Sequence, residues 1–199
     1  MSMDISVAWD ELKKNVSECQ KCGLCNGRKN TVFGEGPEVN CKVVLVGEGP
    51  GADEDESGRP FIGKAGQLLT NILESGGNIQ RSDLYITNIV KCRPPDNRNP
   101  TREESQACSD FLEAQLLLLH PEIVVTLGNV PTQFLLKTTK GITSLRGQWI
   151  EWRGIRLFPM FHPSYLLRNE SSDVGSPKYL TLQDVKSLRE NIDALQQGS

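Results

Sequence analysis

The stretch Lys42–Gly66, KVVLVGEGPGADEDESGRPFIGKAG, decides the fold class of this chain. It begins with a short apolar run, Val43–Val46, which is bounded by glycine and is typical of a buried strand in an α/β sheet. A glycine-rich turn and four consecutive acids, Asp53–Glu56, come next, and a helix begins near Lys64. Because ligands of open α/β sheets bind beyond the carboxyl ends of the strands, we predict that this acidic loop is part of a functional site.

Working outward, apolar runs alternate with helical patterns along the chain. Strands are predicted at 42–47, 83–90 and 122–128, and a hairpin at 149–152 and 155–161 supplies the fourth sheet strand with its second arm. Helices are predicted at 4–18, 65–75, 101–120, 130–136 and 180–196. Thr101 and Glu104 have the spacing of a capping box at the start of the third helix. This alternation predicts a mostly parallel sheet with helices on both faces.

Composition and charge limit the possible classes of protein. The chain has 199 residues, with 37% hydrophobic and 24% charged residues, so we expect one globular domain over 1–199. No apolar run approaches the roughly 20 residues that span a bilayer, and the N-terminus resembles no secretion signal. We therefore expect a cytoplasmic monomer without a membrane partner. The net charge of −3 does not by itself indicate nucleic-acid binding, although basic residues gather between Lys91 and Arg102.

Polar side chains stand where the predicted strands end. Glu48 follows the first strand, Asn88 ends the second, and His162 follows the fourth. In a parallel sheet these ends share one edge, so an acid, an amide and an imidazole are expected in one crevice. Each has a simpler interpretation, since asparagine is common in turns and a lone histidine is more often structural. An asparagine amide, however, has both a donor and an acceptor for the Watson–Crick edge of a base.

Three neighbouring patterns have more than one interpretation. The segment 47–52 matches the dinucleotide pattern G-x-G-x-x-[GA], but the acids at 53–56 would repel a pyrophosphate. Phe61 is either part of the core or an aromatic surface for stacking on a base. The segment Ser164–Arg168 is either a surface loop or a segment that inserts a wedge into a DNA duplex and binds a phosphate.

The six cysteines are unevenly spaced. Three lie in CQKCGLC at 19–25, Cys41 precedes the first strand, and Cys92 and Cys108 flank the basic segment. In a cytoplasmic protein, which is the expectation here, this arrangement favours a metal or an iron–sulfur cluster over disulfides. Zinc and a 4Fe–4S cluster share such a four-cysteine ligand set, so spacing leaves both open.

Together, these motifs resemble one enzyme family. CQKCGLC, VGEGPGADEDESGRPFIGKAGQLL, YITNIVKCRPPDNRNPTREE with Cys108, and FHPSYLLR resemble the family 4 uracil-DNA glycosylases, and they cover about Cys19 to Arg168. The resemblance implies a three-layer α/β/α sandwich with a central four-stranded, mostly parallel sheet. It implies a monofunctional enzyme that flips uracil out of single- or double-stranded DNA and hydrolyses its N-glycosidic bond, leaving an abasic site.

The resemblance also implies roles for individual residues. Glu48 positions or activates the hydrolytic water, and His162 donates a hydrogen bond to uracil O2. Phe61 stacks on uracil, Asn88 binds its O4 and N3–H, and Glu54 excludes the methyl group of thymine. The remaining residues contact the base through the backbone (Gly47, Gly49, Pro50 and Gly51), hold the DNA backbone (Ser164 and Arg168) or fill the space left by the flipped base (Leu166 or Leu167).

The resemblance implies a structural 4Fe–4S cluster on Cys19, Cys22, Cys92 and Cys108. Cys25 is an alternative ligand in the first segment, and Cys41 is expected to be free. The chain lacks the histidine-containing basic insert of the related crosslinking branch, so turnover is favoured over covalent trapping. It also has Gly49 where the first class of glycosylases has an aspartate, and this departure concerns the water-activating group.

Three other functions share some of these sequence features. A glycosylase of wider scope, acting on hypoxanthine or mismatched bases, is an enzyme alternative. A non-catalytic iron–sulfur DNA-binding module, such as a polymerase accessory domain, explains the cysteines but not Glu48, Asn88 and His162 together. A zinc base deaminase is excluded because neither histidine has the required His-x-Glu context.

Overall fold

The apolar runs form the centre of a five-stranded sheet in the computed structural model, which describes residues 5–197. The strands are β1 (Val43–Gly47), β2 (Tyr85–Asn88), β3 (Ile123–Leu127), β4 (Ile150–Trp152) and β5 (Ile155–Met160). Their order is β2-β1-β3-β5-β4, in which the first four are parallel and β4 pairs antiparallel with β5. The four parallel strands were predicted, and the first arm of the hairpin adds a fifth at the edge.

Helices cover both faces of this sheet. They are α1 (Ile5–Ser17), α2 (Ala52–Ser57), α3 (Lys64–Asn71), α4 (Arg102–Leu119), α5 (Asn129–Leu136), α6 (Ile142–Leu145), α7 (Pro163–Leu167) and α8 (Pro177–Gln197). A π-helical turn, Ile72–Gly76, extends α3. The predicted start of the first helix at residue 4 lies outside the described residues. None of the helices between residues 5 and 197 is long and apolar enough to cross a membrane.

Alternating side chains of β1 divide the core into two clusters. Val44 and Val46 pack with residues of α1, α4 and α5, whereas Val43 and Leu45 pack with residues of α3 and α8. Every residue of β1 is buried, because a central parallel strand has helices over both faces. The predicted three-layer α/β/α arrangement is therefore confirmed.

The acidic segment is helical, so the prediction of an irregular loop there was wrong. Asp53, Glu54 and Asp55 occupy the first turn of α2, where carboxylates interact favourably with the positive end of the helix dipole. The Glu54 side chain accepts a hydrogen bond from the backbone N–H of Gly51, 3.1 Å away. Asp55 is buried and accepts from the backbone N–H of Lys29 at 3.0 Å. One local partner, Gly51, and one distant partner, Lys29, therefore stabilise a helix in a sequence whose charges suggested a strained loop.

The ends of α4 follow the predicted capping. The Thr101 hydroxyl accepts from the backbone N–H of Glu104, and the Glu104 carboxylate accepts from the backbone N–H of Thr101. His120 ends the helix in a left-handed conformation with φ of 46°.

The strand register brings the predicted polar residues to one edge of the sheet. Gly47 at the end of β1 lies opposite Asn88 at the end of β2. The backbone N–H of Gly128, just after β3, donates to the carbonyl of Met160 at the end of β5. The carboxyl ends of all four parallel strands therefore open onto the same side of the molecule.

Candidate active site

A cleft of about 610 Å³ lies beyond this edge. The predicted site residues that line it are Glu48, Gly49, Pro50, Gly51, Glu54, Phe61, Asn88, His162, Ser164 and Arg168. They come from the turn after β1, from α2, from the loop before α3, from the end of β2 and from both ends of α7. The structure thus brings together residues that are up to 120 positions apart in the chain.

A narrow slot between Asn88 and Phe61 forms one part of the cleft. The Asn88 side chain is 1% exposed, and its Oδ1 has no hydrogen-bond partner among the described residues. A Cβ added to Gly47 would overlap Asn88 Oδ1 and would lie 2.5 Å from Cζ of Phe61. The absence of a side chain at Gly47 therefore lets the aromatic ring and the unpaired amide oxygen approach the end of β1, where both border the slot. This slot suits a flat ring with a hydrogen-bond donor at its edge.

His162 begins α7 and is held by that helix. Its Nδ1 accepts a hydrogen bond from the backbone N–H of Ser164 at 3.1 Å and is 2.8 Å from the Ser164 hydroxyl. Burial, followed by the charge of Arg168, lowers the pKa of His162 to about 4. At neutral pH the ring is therefore uncharged, and because Nδ1 is an acceptor, Nε2 has the proton. His162 is thus a neutral donor through Nε2–H.

Gly128 allows the close approach of this histidine to β3. Its φ of +94° is in the region that favours glycine, and an added Cβ would lie 2.9 Å from Cβ of His162. On the other side, the His162 ring centroid is 5.9 Å from that of Phe61. The imidazole therefore forms a second wall next to the slot.

Glu48 and Glu54 have different surroundings. Burial raises the pKa of the Glu48 carboxyl above its ordinary value, which brings it nearer to the range of a general base. The Glu54 carboxylate instead accepts from three backbone N–H groups: those of Gly51, Ile62 and Gly63. Glu54 therefore joins the turn after β1 to the loop that includes Phe61, and its role in excluding thymine stays a prediction.

The residues of the segment predicted to contact DNA differ in their solvent exposure. Leu166 is 1% exposed and packs with Ile142 and Phe161, whereas Leu167 is 40% exposed. Arg168 is exposed at the rim of the cleft. Of the two leucines proposed to fill the space left by a flipped base, only Leu167 is at the surface, because the single turn α7 turns Leu166 inward. Ser164, predicted to hold DNA, hydrogen-bonds His162.

Five thiols line a separate hollow between the loop after α1 and α4. They belong to Cys19, Cys22, Cys25, Cys92 and Cys108, and the walls are mainly apolar. All six cysteines of the chain are free thiols, and Cys41 is buried elsewhere, beside the carbonyl of Val43. The Arg28 guanidinium donates to Sγ of Cys92 at 3.1 Å, a contact that favours an anionic sulfur. Burial raises the pKa of Cys108 to about 11, so this thiol is protonated unless a metal binds it.

The donor set of this hollow, thiols with a nearby guanidinium, fits an iron–sulfur cluster. Among the described residues, no three His, Cys, Asp or Glu side chains form a group that could hold one metal ion. Zinc needs sulfurs at about 2.3 Å from one point, whereas a 4Fe–4S cluster distributes its thiolates over separate irons. Soft thiolates in an apolar hollow with a nearby cation are compatible with the second case, and thiolates are also ligands of zinc.

Sequence reasoning missed several residues of the cleft. Asn129, Thr143, Pro94 and the segment 97–99 also line it. Asn129 follows the end of β3, which is the same signal that identified Asn88, and its Oδ1 accepts from the backbone N–H of Ile142 at 2.7 Å. No local sequence pattern identified Thr143 as a cleft residue, because α6 is a single turn whose position depends on packing.

Comparison with known proteins agrees with this fold and cleft. The sequence model of the Uracil DNA glycosylase superfamily matches residues 33–186, so the fold and cleft are those of that superfamily. A type-4 uracil-DNA glycosylase from Thermotoga maritima is 45% identical over 91% of this chain and 93% of its own length. Relatives of the same description from Sulfurisphaera tokodaii and Saccharolobus solfataricus are 38% and 40% identical, over 91% and 80% of this chain and 83% and 77% of their own lengths. The chain therefore belongs to the type-4 uracil-DNA glycosylase family.

Proposed function

We propose that this protein is a monofunctional uracil-DNA glycosylase that excises uracil from DNA and leaves an abasic site for base excision repair. The observation that supports this most directly is the buried side chain of Asn88, whose Oδ1 has no partner among the described residues, at the wall of the cleft that Phe61 and His162 also line. A buried polar atom without a partner is costly, so a ligand that supplies the missing hydrogen bond gains affinity. The family relatives are named for the same activity.

Asn88 selects uracil by the arrangement of its amide. Oδ1 accepts the N3–H of uracil while Nδ2 donates to O4, and Phe61 stacks on the ring. Cytosine has an acceptor at N3 and an amino group at position 4, so in this orientation it meets like groups at both atoms. Because the amide is buried, such mispairing is not relieved by water and discrimination is steep. The backbone of Gly49, Pro50 and Gly51 surrounds the base at its other edge.

His162 assists departure of the base. As the glycosidic bond breaks, negative charge develops on uracil O2, and the neutral Nε2–H donates a hydrogen bond to it. Loss of one such donor typically costs roughly 100- to 1,000-fold in rate. Ser164 keeps Nδ1 an acceptor through two short contacts, so it maintains the tautomer that places the proton on Nε2.

Glu48 positions or activates the hydrolytic water. It follows β1 directly, next to the slot, and burial brings the pKa of its carboxyl towards neutrality. Its negative charge also stabilises the positive charge that develops on the sugar. Glu48 therefore acts on the sugar side of the bond, and His162 acts on the base.

DNA binding requires the target nucleotide to leave the base stack, at a cost of a few kcal/mol. Arg168 at the rim binds a phosphate, and the exposed Leu167 occupies the space that the base leaves. Because the protein reads one flipped base and not a long sequence, its affinity is salt-sensitive and largely sequence-independent. Single- and double-stranded DNA are both substrates. We also propose that residues 1–199 form one domain that acts as a cytoplasmic monomer.

A 4Fe–4S cluster bound by Cys19, Cys22, Cys92 and Cys108 has a structural role in this proposal. When bound, it crosslinks the loop after α1 to the segment that follows β2 and to α4. Without it, that loop is joined to α4 by contacts such as the Lys21–Asp110 ion pair at 3.0 Å, whose exposed side chains contribute about 1 kcal/mol or less. Cys25 lies in the same hollow and is the alternative ligand in the first segment.

The test is incubation of the purified protein with end-labelled oligonucleotides that contain one uracil, thymine, cytosine or hypoxanthine at the same position, followed by alkaline cleavage. We expect cleavage at uracil with release of the free base, and none at thymine or cytosine. Cleavage at hypoxanthine as efficient as at uracil would replace this proposal with a glycosylase of wider scope. Full activity of a Glu48→Ala, His162→Ala double variant would overturn both assigned roles.

A further inference from the structure

The backbone of Phe61 has an unfavourable conformation for a bulky residue. Its φ is +51°, in the left-handed region that disfavours side chains with a Cβ by roughly 5- to 30-fold per residue. The Phe61 side chain is nevertheless buried. Its ring lies close to Gly47, at the position that a Cβ of residue 47 would occupy, and beside Asn88. Something in the surrounding structure must therefore compensate for this conformation.

Gly66 allows the conformation but does not impose it. A Cβ at residue 66 would overlap the carbonyl group of Phe61 and would lie 2.6 Å from its Cα. The first turn of α3 therefore packs directly on the backbone of Phe61. Removal of a steric obstacle does not by itself select one conformation, so polar contacts are needed.

Two opposite charges bind the backbone on either side of Phe61. Arg81 donates through Nη2 to the carbonyl of Pro60 at 2.7 Å and through Nη1 to the carbonyl of Phe61 at 3.1 Å. Glu54 accepts from the next two N–H groups, those of Ile62 and Gly63, at 2.9 and 2.8 Å. Successive carbonyls therefore point to a cation and successive amides point to an anion. This arrangement fixes the peptide orientation around Phe61 from both sides.

We propose that Arg81 is a positioning residue for uracil recognition, which acts with Glu54 to hold Phe61 in the left-handed conformation that places its ring in the slot. This proposal rests on the proposed function. Arg81 precedes β2 and is half-buried beneath the loop, and its two hydrogen bonds to the loop are to backbone carbonyls. Its effect on the base therefore passes through the ring of Phe61. An arginine is suited to this task because its planar group can donate to two acceptors at once, whereas lysine donates from a single point.

A double-mutant cycle tests this proposal. The variants are Arg81→Met, Phe61→Ala and both together. Affinity is measured well below the melting temperature of the protein for two oligonucleotides that differ at one position, which is either non-hydrolysable 2′-fluoro-2′-deoxyuridine or thymidine. The measured quantity is the affinity for the first oligonucleotide divided by the affinity for the second. We expect Arg81→Met to lower this ratio by roughly 5- to 30-fold, the factor by which the left-handed conformation is disfavoured. In the Phe61→Ala background it should change the ratio by less than about twofold, because the ring through which Arg81 acts is gone.

Arg59→Met is the matched control. Arg59 has the same charge near the same loop, but it is exposed and pairs with Glu35. This variant should keep the ratio of the unmodified protein, which separates positioning of Phe61 from general attraction to DNA. If Arg81→Met does not fold, Arg81→Lys replaces it, and a smaller decrease of the ratio is expected.

The outcomes separate this proposal from the proposed function. An equal effect of Arg81→Met in both backgrounds, or a lower melting temperature with an unchanged ratio, would overturn the positioning role. If the unmodified protein shows no preference for the uracil probe, the proposed function fails. Independently of any ligand, a crystal structure of Arg81→Met in which Phe61 keeps its positive φ would refute the backbone mechanism.

Discussion

Replacing Gly47 with alanine should close the base-binding slot without removing a functional group. The added Cβ would lie 2.5 Å from Cζ and 2.7 Å from Cε2 of Phe61 and would also overlap Oδ1 of Asn88. Carbon atoms in contact prefer a separation of about 3.5–4.0 Å, so the ring has to retreat by about 1 Å. A displacement of about 1 Å in a positioned group can reduce the rate of a reaction by about 100-fold.

We therefore expect Gly47→Ala to lower kcat/KM for uracil excision by about 100-fold or more. The assay is single-turnover excision from an end-labelled oligonucleotide, with binding to undamaged DNA measured in parallel. Overpacking should also reduce the free energy of unfolding by about 1–3 kcal/mol, so the reaction is measured well below the melting temperature.

Gly141→Ala is the control for this substitution. Gly141 precedes the cleft-lining helix α6, has an ordinary φ of −76°, and an added Cβ would meet no atom within 4 Å. It should excise uracil at the rate of the unmodified protein. A Gly47→Ala variant that retains a rate within about threefold of the unmodified protein would refute the assignment of the slot, since it would show that the base does not occupy this space.

Three further substitutions test other parts of the site. Asn88→Ala should reduce kcat/KM for uracil by about 100-fold and leave binding to undamaged DNA unchanged, and an equal loss of both would contradict its role in recognition. Because the pKa of His162 is lowered from 6.5 to about 4, its neutral form contributes stability that is present above pH 6.5 and lost as the pH falls towards 4. The variant His162→Asn has no imidazole to titrate. Over that pH range its free energy of unfolding should therefore fall by about 3 kcal/mol less than that of the unmodified protein. Identical acid denaturation curves of the two proteins would contradict the burial of a neutral imidazole. Cys108→Ser should abolish iron binding and the visible absorbance of the protein, whereas Cys41→Ala should retain both, and full iron content in the Cys108 variant would exclude this thiol as a ligand.

Much of the fold could be predicted from short segments. The strands β1, β2 and β3 lie within the predicted ranges, because short continuous apolar runs between glycines or polar residues have few stable conformations other than a buried strand. The capping box at Thr101 and Glu104 involves residues three positions apart, so the sequence alone specifies it. The positions of Glu48, Asn88 and His162 at the strand ends followed from the parallel arrangement, and all three line one cleft.

The tertiary structure decided the features that depend on distant contacts. The acids at 53–56 suggested a loop, yet burial of Asp55 and the contacts of Glu54 with the Phe61 loop stabilise a helix. The inward position of Leu166 depends on its packing with Ile142 and Phe161, which no local pattern encodes.

The same distinction applies to the slot itself. The sequence determined that a glycine, an asparagine and a phenylalanine would be available near the strand ends. Only the folded chain brings Arg81 to the carbonyl of Phe61, 20 residues earlier, and so gives that residue a backbone conformation it would rarely adopt alone. Local propensity acts over a few residues through sterics and hydrogen bonds, whereas the compensation of an unfavourable conformation requires partners that only packing can supply.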